Sequence, residues 1–533
     1  MDVFKNEIFP AEITFSEGMI VRVEKSNRAY SNYILPGLID SHVHIESSML
    51  TPAGFAELAV KHGTVAVVSD PHEIANIVGL RGVDFMIENG ATVPLKFFFG
   101  APSCVPATDF ECSGARIDVP DIEKLVKRDD IYFLSEVMNF PGVISGERSL
   151  MRKIALARKY NKPVDGHAPG LTGDDLIKYI AAGIKTDHEC ISLSEAEEKI
   201  SLGMKIQIRE GSAAKGFEKF HQLINKYPGS VMLCSDDLHP NDLLNGHINA
   251  LLSKGVKMGI GIFNLIRAAS LNPALHYRLP VGMLREGDHA DMVIVEDLDN
   301  FHVIRTVING RDAFRENSLS FKKQFKGLDS KFRTESVREE DIKLISKGRK
   351  IKVIEVNDGD LYTGSRVFRT KIENGYAISD VSRDICKIVV VNKYFNAKPA
   401  VGFITGFGIK KGAIAGSIAH DSHNIIAVGT DDYDIINAIN SIIELKGGLA
   451  VVNGNQKNTM QLEIGGIMTN MDGGEVARRY LEVDNCVKKL GSPLTAPFMS
   501  LSFMALLVIP ELKIGDKGLF DANRFSFTSL FIN

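Results

Sequence analysis

The chain has 533 residues, enough for two to four domains, and its 44% hydrophobic and 24% charged residues are ordinary for a globular protein. A net charge of −4 and a pI near 6.4 give no electrostatic reason to expect nucleic acid or an anionic membrane as a partner. Six cysteines without CxxC spacing, no N-terminal apolar signal core and no run of about 18 apolar residues favour a cytoplasmic protein without transmembrane helices.

Residues 1–32 alternate weakly and predict two short strands. From residue 33 onward, short apolar runs alternate with amphipathic stretches of helical period, which is the rhythm of βα units. The strand candidates are 34–44, 64–70, 95–103, 131–137, 163–168, 185–189, 205–212 and 231–236. Eight such βα units within residues 33–280 have the size of a (β/α)8 barrel. An open doubly wound sheet is the alternative, because alternation alone does not prove closure.

Polar residues end or follow seven of these strands, which core packing would not explain. They are His42, His44, Asp70, His72, Glu73, Glu136, His167, His188, Arg209, Glu210 and Asp236. In a barrel these residues would converge on the C-terminal face, where barrel enzymes place their chemistry.

Three further regions follow the barrel. Residues 281–311 alternate as strands and are expected to pair with residues 1–32 in a small β-sandwich domain. Residues 312–348 are charged and poor in aliphatic clusters, so they predict a linker. Residues 349–533 predict a separate C-terminal α/β domain.

The histidines and carboxylates of the strand ends predict a metal centre. His42 and His44 form a His-x-His pair on one strand face, since the strand period is two. With His167, His188 and the carboxylates of Glu136 and Asp236, they could hold two divalent ions that lower the pKa of a shared water. Each of these residues taken alone would more often be structural, but their positions on successive strand ends favour the metal.

The segment PGLIDSHVH resembles the first-strand motif of the amidohydrolase superfamily, and GMLREGDHADMVI resembles the sandwich segment after its barrel. Together with HIESSM, SDPHEIANIVG, SEVMNFPGVISGE, DGHAPGL, REGSAA and SDDLHP, the resemblance narrows to the bacterial and archaeal adenine deaminases and covers nearly the whole chain. It implies conversion of adenine and water to hypoxanthine and ammonia with two divalent metal ions, above all Mn²⁺, with Fe²⁺ or Zn²⁺ as alternatives.

The resemblance implies that the metal ligands are His42, His44, His167, His188 and Asp236. It also implies that Asp236 is the proton shuttle. Many relatives bridge their metals with a carboxylated lysine on strand four. Here FLSEVM ends that strand without a lysine, and Glu136 is the carboxylate in position to bridge. A homodimer is expected, since symmetric association is common.

The deamination requires a proton on the ring nitrogen N1 of adenine, and Glu73, Glu210 and His72 are the candidate donors. Asp237 is an alternative to Asp236 as ligand, or a substrate contact. The segment from Arg209 to Ser212 is expected to contact substrate, with a structural ion pair as the alternative. Competing functions are a cyclic-amide hydrolase of the dihydroorotase or hydantoinase type and a catalytically silent metal-binding scaffold.

Far downstream, SIAHDSHNI (417–425) places His420 and His423 in one short polar cluster. It could be a second centre, a loop stabilised by its own turn residues, or a wall of the upstream pocket. The third interpretation predicts that both histidines bind substrate. The glycine-rich segment GFGIKKG (406–412) lacks the spacing of a phosphate loop and is interpreted as a strand connection.

Overall fold

The computed structural model describes residues 1–532, and its first element is an antiparallel hairpin. The strands of this hairpin are β1 (Ala11–Ser16) and β2 (Met19–Lys25), joined at Glu17 and Gly18, which both have positive φ. A third strand, β3 (Tyr33–Pro36), follows and ends one residue before the barrel begins. The two strands expected in residues 1–32 are therefore present.

Parallel strands between residues 38 and 234 form the core of the fold. They are β4 (Leu38–Val43), β5 (Thr64–Ser69), β6 (Lys96–Ala101), β7 (Ile131–Val137), β8 (Val164–Gly166), β9 (Thr186–Asp187), β10 (Lys205–Arg209) and β11 (Val231–Cys234). Neighbours in the chain are neighbours in space from β4 to β8 and from β9 to β11. Each strand lies within one of the eight predicted ranges.

Hydrogen bonds join the strand set β4–β8 to the strand set β9–β11 at both ends of each set. Asp236 N donates to His42 O at 3.0 Å, and His44 N donates to Asp236 O at 3.3 Å, which joins β11 to β4. Lys185 N donates to Val164 O at 3.0 Å, which joins β9 to β8. The predicted (β/α)8 barrel is confirmed, and the open sheet is wrong, because an open sheet would leave its first and last strands unpaired.

Gly37 divides the predicted strand 34–44 into β3 and β4. A Cβ atom at Gly37 would lie 2.3 Å from Val65 Cγ2, so only glycine lets the chain pass this close to β5. The residues before Gly37 pair with a later strand outside the barrel, and the residues after it pair with β5.

The helices of the barrel region cover its outside. They are α1 (Pro52–Ala59), α2 (His72–Val78), α3 (Leu80–Gly90), α4 (Val119–Val126), α5 (Phe140–Ser145), α6 (Arg148–Lys159), α7 (Gly173–Ala182), α8 (Leu193–Ser201), α9 (Phe217–Phe220), α10 (Gln222–Lys226), α11 (Pro240–Asn245), α12 (Ile248–Lys257), α13 (Ile262–Ile266) and α14 (Asn272–Tyr277). Side-chain caps begin several of them. The Thr51 hydroxyl accepts from Gly54 N in α1, and the Ser192 hydroxyl accepts from Glu195 N in α8.

A second, antiparallel sheet is built from both flanks of the barrel. Its further strands are β12 (Met292–Val295), β13 (Val303–Ile308), β14 (Arg311–Arg315) and β15 (Ser318–Leu319), and β3 pairs with β12 at its edge. The β1–β2 hairpin is attached to this region by a bond from Ile20 N to Asp288 O at 2.8 Å. The sheet extends to Leu319, so the boundary predicted at residue 311 falls inside it.

The C-terminal part is a mixed α/β unit. Its elements are α15 (Glu339–Ile342), β16 (Lys350–Glu355), β17 (Gly364–Arg369), β18 (Ile372–Glu373), β19 (Tyr376–Ala377), β20 (Cys386–Val391), β21 (Ala400–Thr405), β22 (Ala413–Ala419), β23 (Asn424–Gly429), α16 (Asp432–Leu445), β24 (Gly448–Asn453), β25 (Gln456–Gln461), α17 (Gly473–Lys489), α18 (Pro497–Phe503), β26 (Leu512–Gly515), β27 (Gly518–Asp521), β28 (Ser526–Phe527) and β29 (Phe531–Ile532). The large sheet has the order β17-β16-β21-β20-β23-β22-β24-β25, with β29 also paired to β16.

This C-terminal unit packs directly on the barrel. Thr469 N donates to Met49 O at 2.9 Å, and Asn424 Nδ2 donates to Cys112 O at 2.9 Å. Helix α17 packs against α1 and α11. One continuous hydrophobic core contains buried residues of the barrel, the second sheet and the C-terminal unit. Among the helices of residues 1–532, none combines the length and apolarity needed to cross a membrane.

Candidate metal centre

The end of β4 brings two imidazoles together, with their rings nearly perpendicular. His42 Nε2 and His44 Nε2 lie 3.2 Å apart, and both side chains are buried. The strand is held from behind by Asp40, whose Oδ1 accepts from His42 N at 3.3 Å and from Ser235 N at 3.1 Å. His247 Nε2 lies 2.8 Å from Asp40 Oδ2, so a buried polar network fixes the position of this strand end.

Glu136, the last polar residue of β7, lies at the centre of the histidines. Its Oε2 is 2.8 Å from His167 Nδ1 and 3.2 Å from His188 Nε2. Its Oε1 is 3.3 Å from His44 Nε2. One carboxylate therefore faces imidazoles from three strand ends.

Asp236 follows β11 and completes the group. Its Oδ1 lies 3.3 Å from His44 Nε2 and 3.7 Å from His42 Nε2. Its backbone has φ 58°, an uncommon conformation for a residue with a side chain, and this conformation directs the carboxylate toward the histidines. The Arg209 guanidinium donates to the other oxygen, Oδ2, and also to Glu189.

We call these six residues the barrel cluster: His42, His44, Glu136, His167, His188 and Asp236. Its chemistry fits divalent cations. Ligand atoms of His42, His44 and Asp236 lie within 4.8 Å of one another, and so do those of His42, Glu136 and His188. Two imidazole nitrogens facing each other at 3.2 Å share at most one proton, whereas a common cation would satisfy both. Nitrogen and oxygen donors of this kind suit Mn²⁺, Fe²⁺ and Zn²⁺.

Charge in the buried cluster is balanced by neighbours. Burial alone would raise the pKa of Asp236, but Arg209 and the nearby imidazoles hold that pKa well below its usual range. Burial would likewise raise the pKa of Glu136, and His167, His188 and His44 lower it instead. Both carboxylates are thus ionised and able to bind a cation. Burial raises the pKa of Glu189, even though Arg209 opposes that effect.

A second wall of the site comes from the C-terminal unit. The loop between β22 and β23 carries His420 and His423, and both reach Glu73, which lies in α2 directly after β5. His420 Nδ1 is 2.6 Å from Glu73 Oε1, and His423 Nε2 contacts Glu73 Oε2. The ring of Phe503 stacks on His420 at 4.6 Å between centroids. The loop is therefore a wall of the upstream pocket.

The cavity above the barrel cluster is roofed by apolar residues of the C-terminal unit. These are Leu361, Phe503, Leu506, Val508 and Ile509. The free volume of this cavity is about 20 Å³.

Comparison with known proteins matches this chain along its full length. Residues 33–312 match the amidohydrolase family, and residues 360–526 match the adenine deaminase C-terminal domain. An adenine deaminase of Methanosarcina mazei is 50% identical, over 100% of this chain and 98% of the relative. The adenine deaminases of Sulfurovum sp. and Borreliella burgdorferi are 50% and 46% identical, each over 99% of this chain and 98% of the relative.

The chain belongs to the adenine deaminase family. Among solved structures, a dihydropyrimidinase of Brevibacillus agri aligns with a TM-score of 0.45 and 13% identity, over 59% of this chain and 94% of that one.

Several residues that the sequence predicted to contact substrate in this adenine deaminase family member line the cavity. His72, Arg209, Asp237 and His420 line it, together with Glu73. Burial and the neighbouring Asp236 raise the pKa of Asp237, and the Ser47 hydroxyl donates to Asp237 Oδ1 at 2.5 Å. His423 is buried behind Glu73 and does not line the cavity.

Glu210 and Ser212 require correction. Glu210 turns away from the barrel cluster: its Oε1 accepts from Lys254 Nζ at 2.8 Å and its Oε2 from Phe217 N at 3.0 Å. The Ser212 hydroxyl binds Asp242 and accepts from His239 N at 2.8 Å. Side chains alternate after β10, so Arg209 faces inward while Glu210 is directed to a neighbouring lysine. Neither Glu210 nor Ser212 lies at the cavity.

Sequence reasoning missed two carboxylates of the cavity. Glu189 follows His188 directly and pairs with Arg209, and Asp421 lies between the two histidines of the β22–β23 loop. Their adjacency to assigned histidines was the available signal. The apolar roof had no signal, because isolated leucines and phenylalanines look the same in a core and in a pocket.

Proposed function

We propose that this chain hydrolyses adenine to hypoxanthine and ammonia, a reaction of purine salvage or catabolism. The observation that carries the proposal is the barrel cluster. The chain that contains it is 50% identical, over its whole length, to a protein named adenine deaminase. The reaction replaces the C6–N bond to the exocyclic amine by a C6–O bond, and water supplies the oxygen.

The barrel cluster would hold two divalent cations, with the imidazoles of His42, His44, His167 and His188 and the carboxylates of Glu136 and Asp236 as ligands. We propose Mn²⁺ as the physiological metal, with Fe²⁺ or Zn²⁺ as substitutes that the same donors accept. Divalent cations bound there supply water with a lowered pKa, so that a nucleophile is available near neutral pH.

Asp236 is proposed to take the proton of the attacking water and to pass it to the departing amine. Arg209 donates to the distal oxygen of Asp236, which keeps the carboxylate ionised and oriented between proton transfers. Arg209 is therefore assigned a positioning role.

The proton for N1 is proposed to come from the first residues of α2, directly after β5. Of the three donors considered, Glu210 is bound to Lys254, which leaves His72 and Glu73. His72 Nδ1 lies 3.0 Å from Asp70 Oδ2, and its Nε2 lies 3.5 Å from Glu73 Oε1. Asp237 and His420 complete the proposed substrate contacts, and His423 supports them from behind.

The test is ammonia release from adenine by the metal-loaded full-length protein. Steady release with adenine is the expected result, and a sample stripped of metal by a chelator is the control. Turnover of a hydantoin or dihydroorotate in place of adenine would replace this proposal by a cyclic-amide hydrolase, and no turnover of either class would leave only a metal-binding scaffold.

We further propose a homodimer in a reducing cytoplasm. All six cysteines are free, so no disulfide is present within residues 1–532, as is usual for proteins of a reducing compartment. Symmetric association is the common state of such enzymes.

A further inference from the structure

Four buried residues from two parts of the chain form a second group of metal-type ligands. We call Glu73, His420, Asp421 and His423 the cross-domain cluster. Glu73 belongs to the barrel region, and the other three lie in the loop between β22 and β23. Each is at most 3% exposed.

The donor atoms of the cross-domain cluster converge as those of the barrel cluster do. His420 Nδ1 lies 2.6 Å from Glu73 Oε1 and 3.7 Å from Asp421 Oδ1. In the barrel cluster the corresponding separations run from 2.8 to 3.7 Å. Ligand atoms of Glu73 and Asp421 lie within 4.8 Å of each other and of His72.

Several of these atoms have no hydrogen bond of their own. Glu73 Oε2 and His423 Nε2 are in contact, yet within residues 1–532 neither has a hydrogen-bond partner of acceptable geometry. Asp421 Oδ2 is also buried without a partner in the described part of the chain. Unpaired polar atoms in a buried site are costly, and a shared ligand would satisfy them together.

Charge points to a cation as that ligand. With both imidazoles neutral, the two carboxylates carry a net charge of −2, and His72 is the neighbouring group that can offset part of it, since its Nε2 lies 3.5 Å from Glu73 Oε1 and 3.7 Å from Asp421 Oδ1. A divalent cation would neutralise this charge and accept both nitrogen and oxygen donors.

We propose that the cross-domain cluster binds a further divalent cation, beside those of the barrel cluster, and that this cation ties the C-terminal unit to the barrel. Glu73 is then a ligand, which leaves His72 as the donor for N1. The proposal goes beyond the deaminase assignment and does not depend on which substrate the barrel cluster acts on.

Counting bound metal tests the proposal. The full-length protein is stripped with a chelator and dialysed against Mn²⁺, and bound manganese per chain is measured by elemental analysis. The wild type is expected to bind one Mn²⁺ more per chain than the double variant His420→Ala/His423→Ala. A variant lacking two histidines elsewhere, His221→Ala/His302→Ala, should bind as many ions as the wild type.

Anomalous diffraction at the manganese edge gives an independent measurement on the wild type, should the double variant fold poorly. A peak bounded by Glu73, His420 and His423 is expected. Equal manganese content in the wild type and a folded double variant, or density confined to the barrel cluster, would overturn the proposal in favour of a direct ion pair. Adenine turnover, recorded on the same samples, tests the deaminase assignment separately.

Discussion

Asp236 combines two unusual properties at one position, a left-handed backbone and a buried charge held by Arg209. A residue with a side chain adopts positive φ at a cost on the order of 1 kcal/mol, and such costs concentrate at functional sites. The tight bend after β11 turns the carboxylate toward His42 and His44 rather than into the helical layer.

Replacing Asp236 by Asn should lower kcat by about 10²- to 10⁴-fold, because the amide cannot accept the proton of water. Most of the bound metal should remain, since five other ligands are intact. Initial rates of ammonia release and elemental analysis measure the two effects. Asp237→Asn is the matched comparison; a larger loss of kcat in that variant than in Asp236→Asn would transfer the proton role to Asp237.

Lys513 is a fully buried lysine that holds two parts of the cavity roof. Its ammonium donates to Leu361 O at 2.9 Å and Phe503 O at 3.1 Å, and burial lowers its pKa to about 7. In the unfolded chain a lysine keeps its proton to about pH 10.4. Between these values the unfolded state binds more protons, so the stability of the fold rises with pH across that window.

Lys513→Met should remove this contribution. The free energy of unfolding of the wild type is expected to rise more steeply from pH 7 to pH 9 than that of the variant, by at most about 1.4 kcal/mol per pH unit. Urea unfolding at each pH measures the slopes, and the exposed Lys517→Met serves as control. Parallel slopes for the wild type and Lys513→Met would show that Lys513 stays protonated in the fold.

At the scale of elements, the sequence predicted the positions of the barrel strands well. It predicted poorly where one strand ends and the next begins, and which way side chains point beyond a strand end. All eight barrel strands follow from apolar runs, and the His-x-His pair and Asp236 follow from where those runs end. The division at Gly37 was missed, because β3 and β4 form one continuous apolar run in ILPGLIDSHVH. Glu210 was misplaced because alternation beyond a strand end depends on local contacts, here those of Lys254 and Phe217.

Gly37→Ala tests the close approach between this join and β5. The new methyl group would meet the branched Val65 side chain, which has little freedom to move, so overpacking should destabilise the fold by about 1–3 kcal/mol. Chemical denaturation measures this loss. Gly229→Ala is the control, because nothing lies within 4 Å of its Cβ position; a loss at position 37 no larger than at 229 would contradict the expectation.

At the scale of the whole molecule, the C-terminal unit is part of the site as well as a neighbour of it. The sequence predicted a separate α/β domain at residues 349–533, but the docking of the C-terminal unit over the barrel mouth depends on contacts between distant segments, such as Thr469 with Met49. Composition and periodicity carry no information on such contacts. From the sequence alone, a position of His420 at the pocket and a position in an ordinary loop therefore remained alternatives.

The shared hydrophobic core predicts that barrel and C-terminal unit unfold together. Differential scanning calorimetry of the metal-free protein is expected to show one cooperative transition, because separating the two units would expose apolar surface on both. Two resolved transitions would show that the interface contributes little to stability.

The separation of the two clusters along the chain has a consequence for biosynthesis. A ribosome adds about 5–20 residues per second, so the barrel histidines emerge well before the loop that carries His420. All barrel ligands have been made once Asp236 has left the ribosome, whereas Glu73 can meet its partners only after residues 420–423 have been made. The residues of the barrel cluster are therefore all present before the C-terminal unit that covers them has been made, whereas the cross-domain cluster needs both parts of the chain.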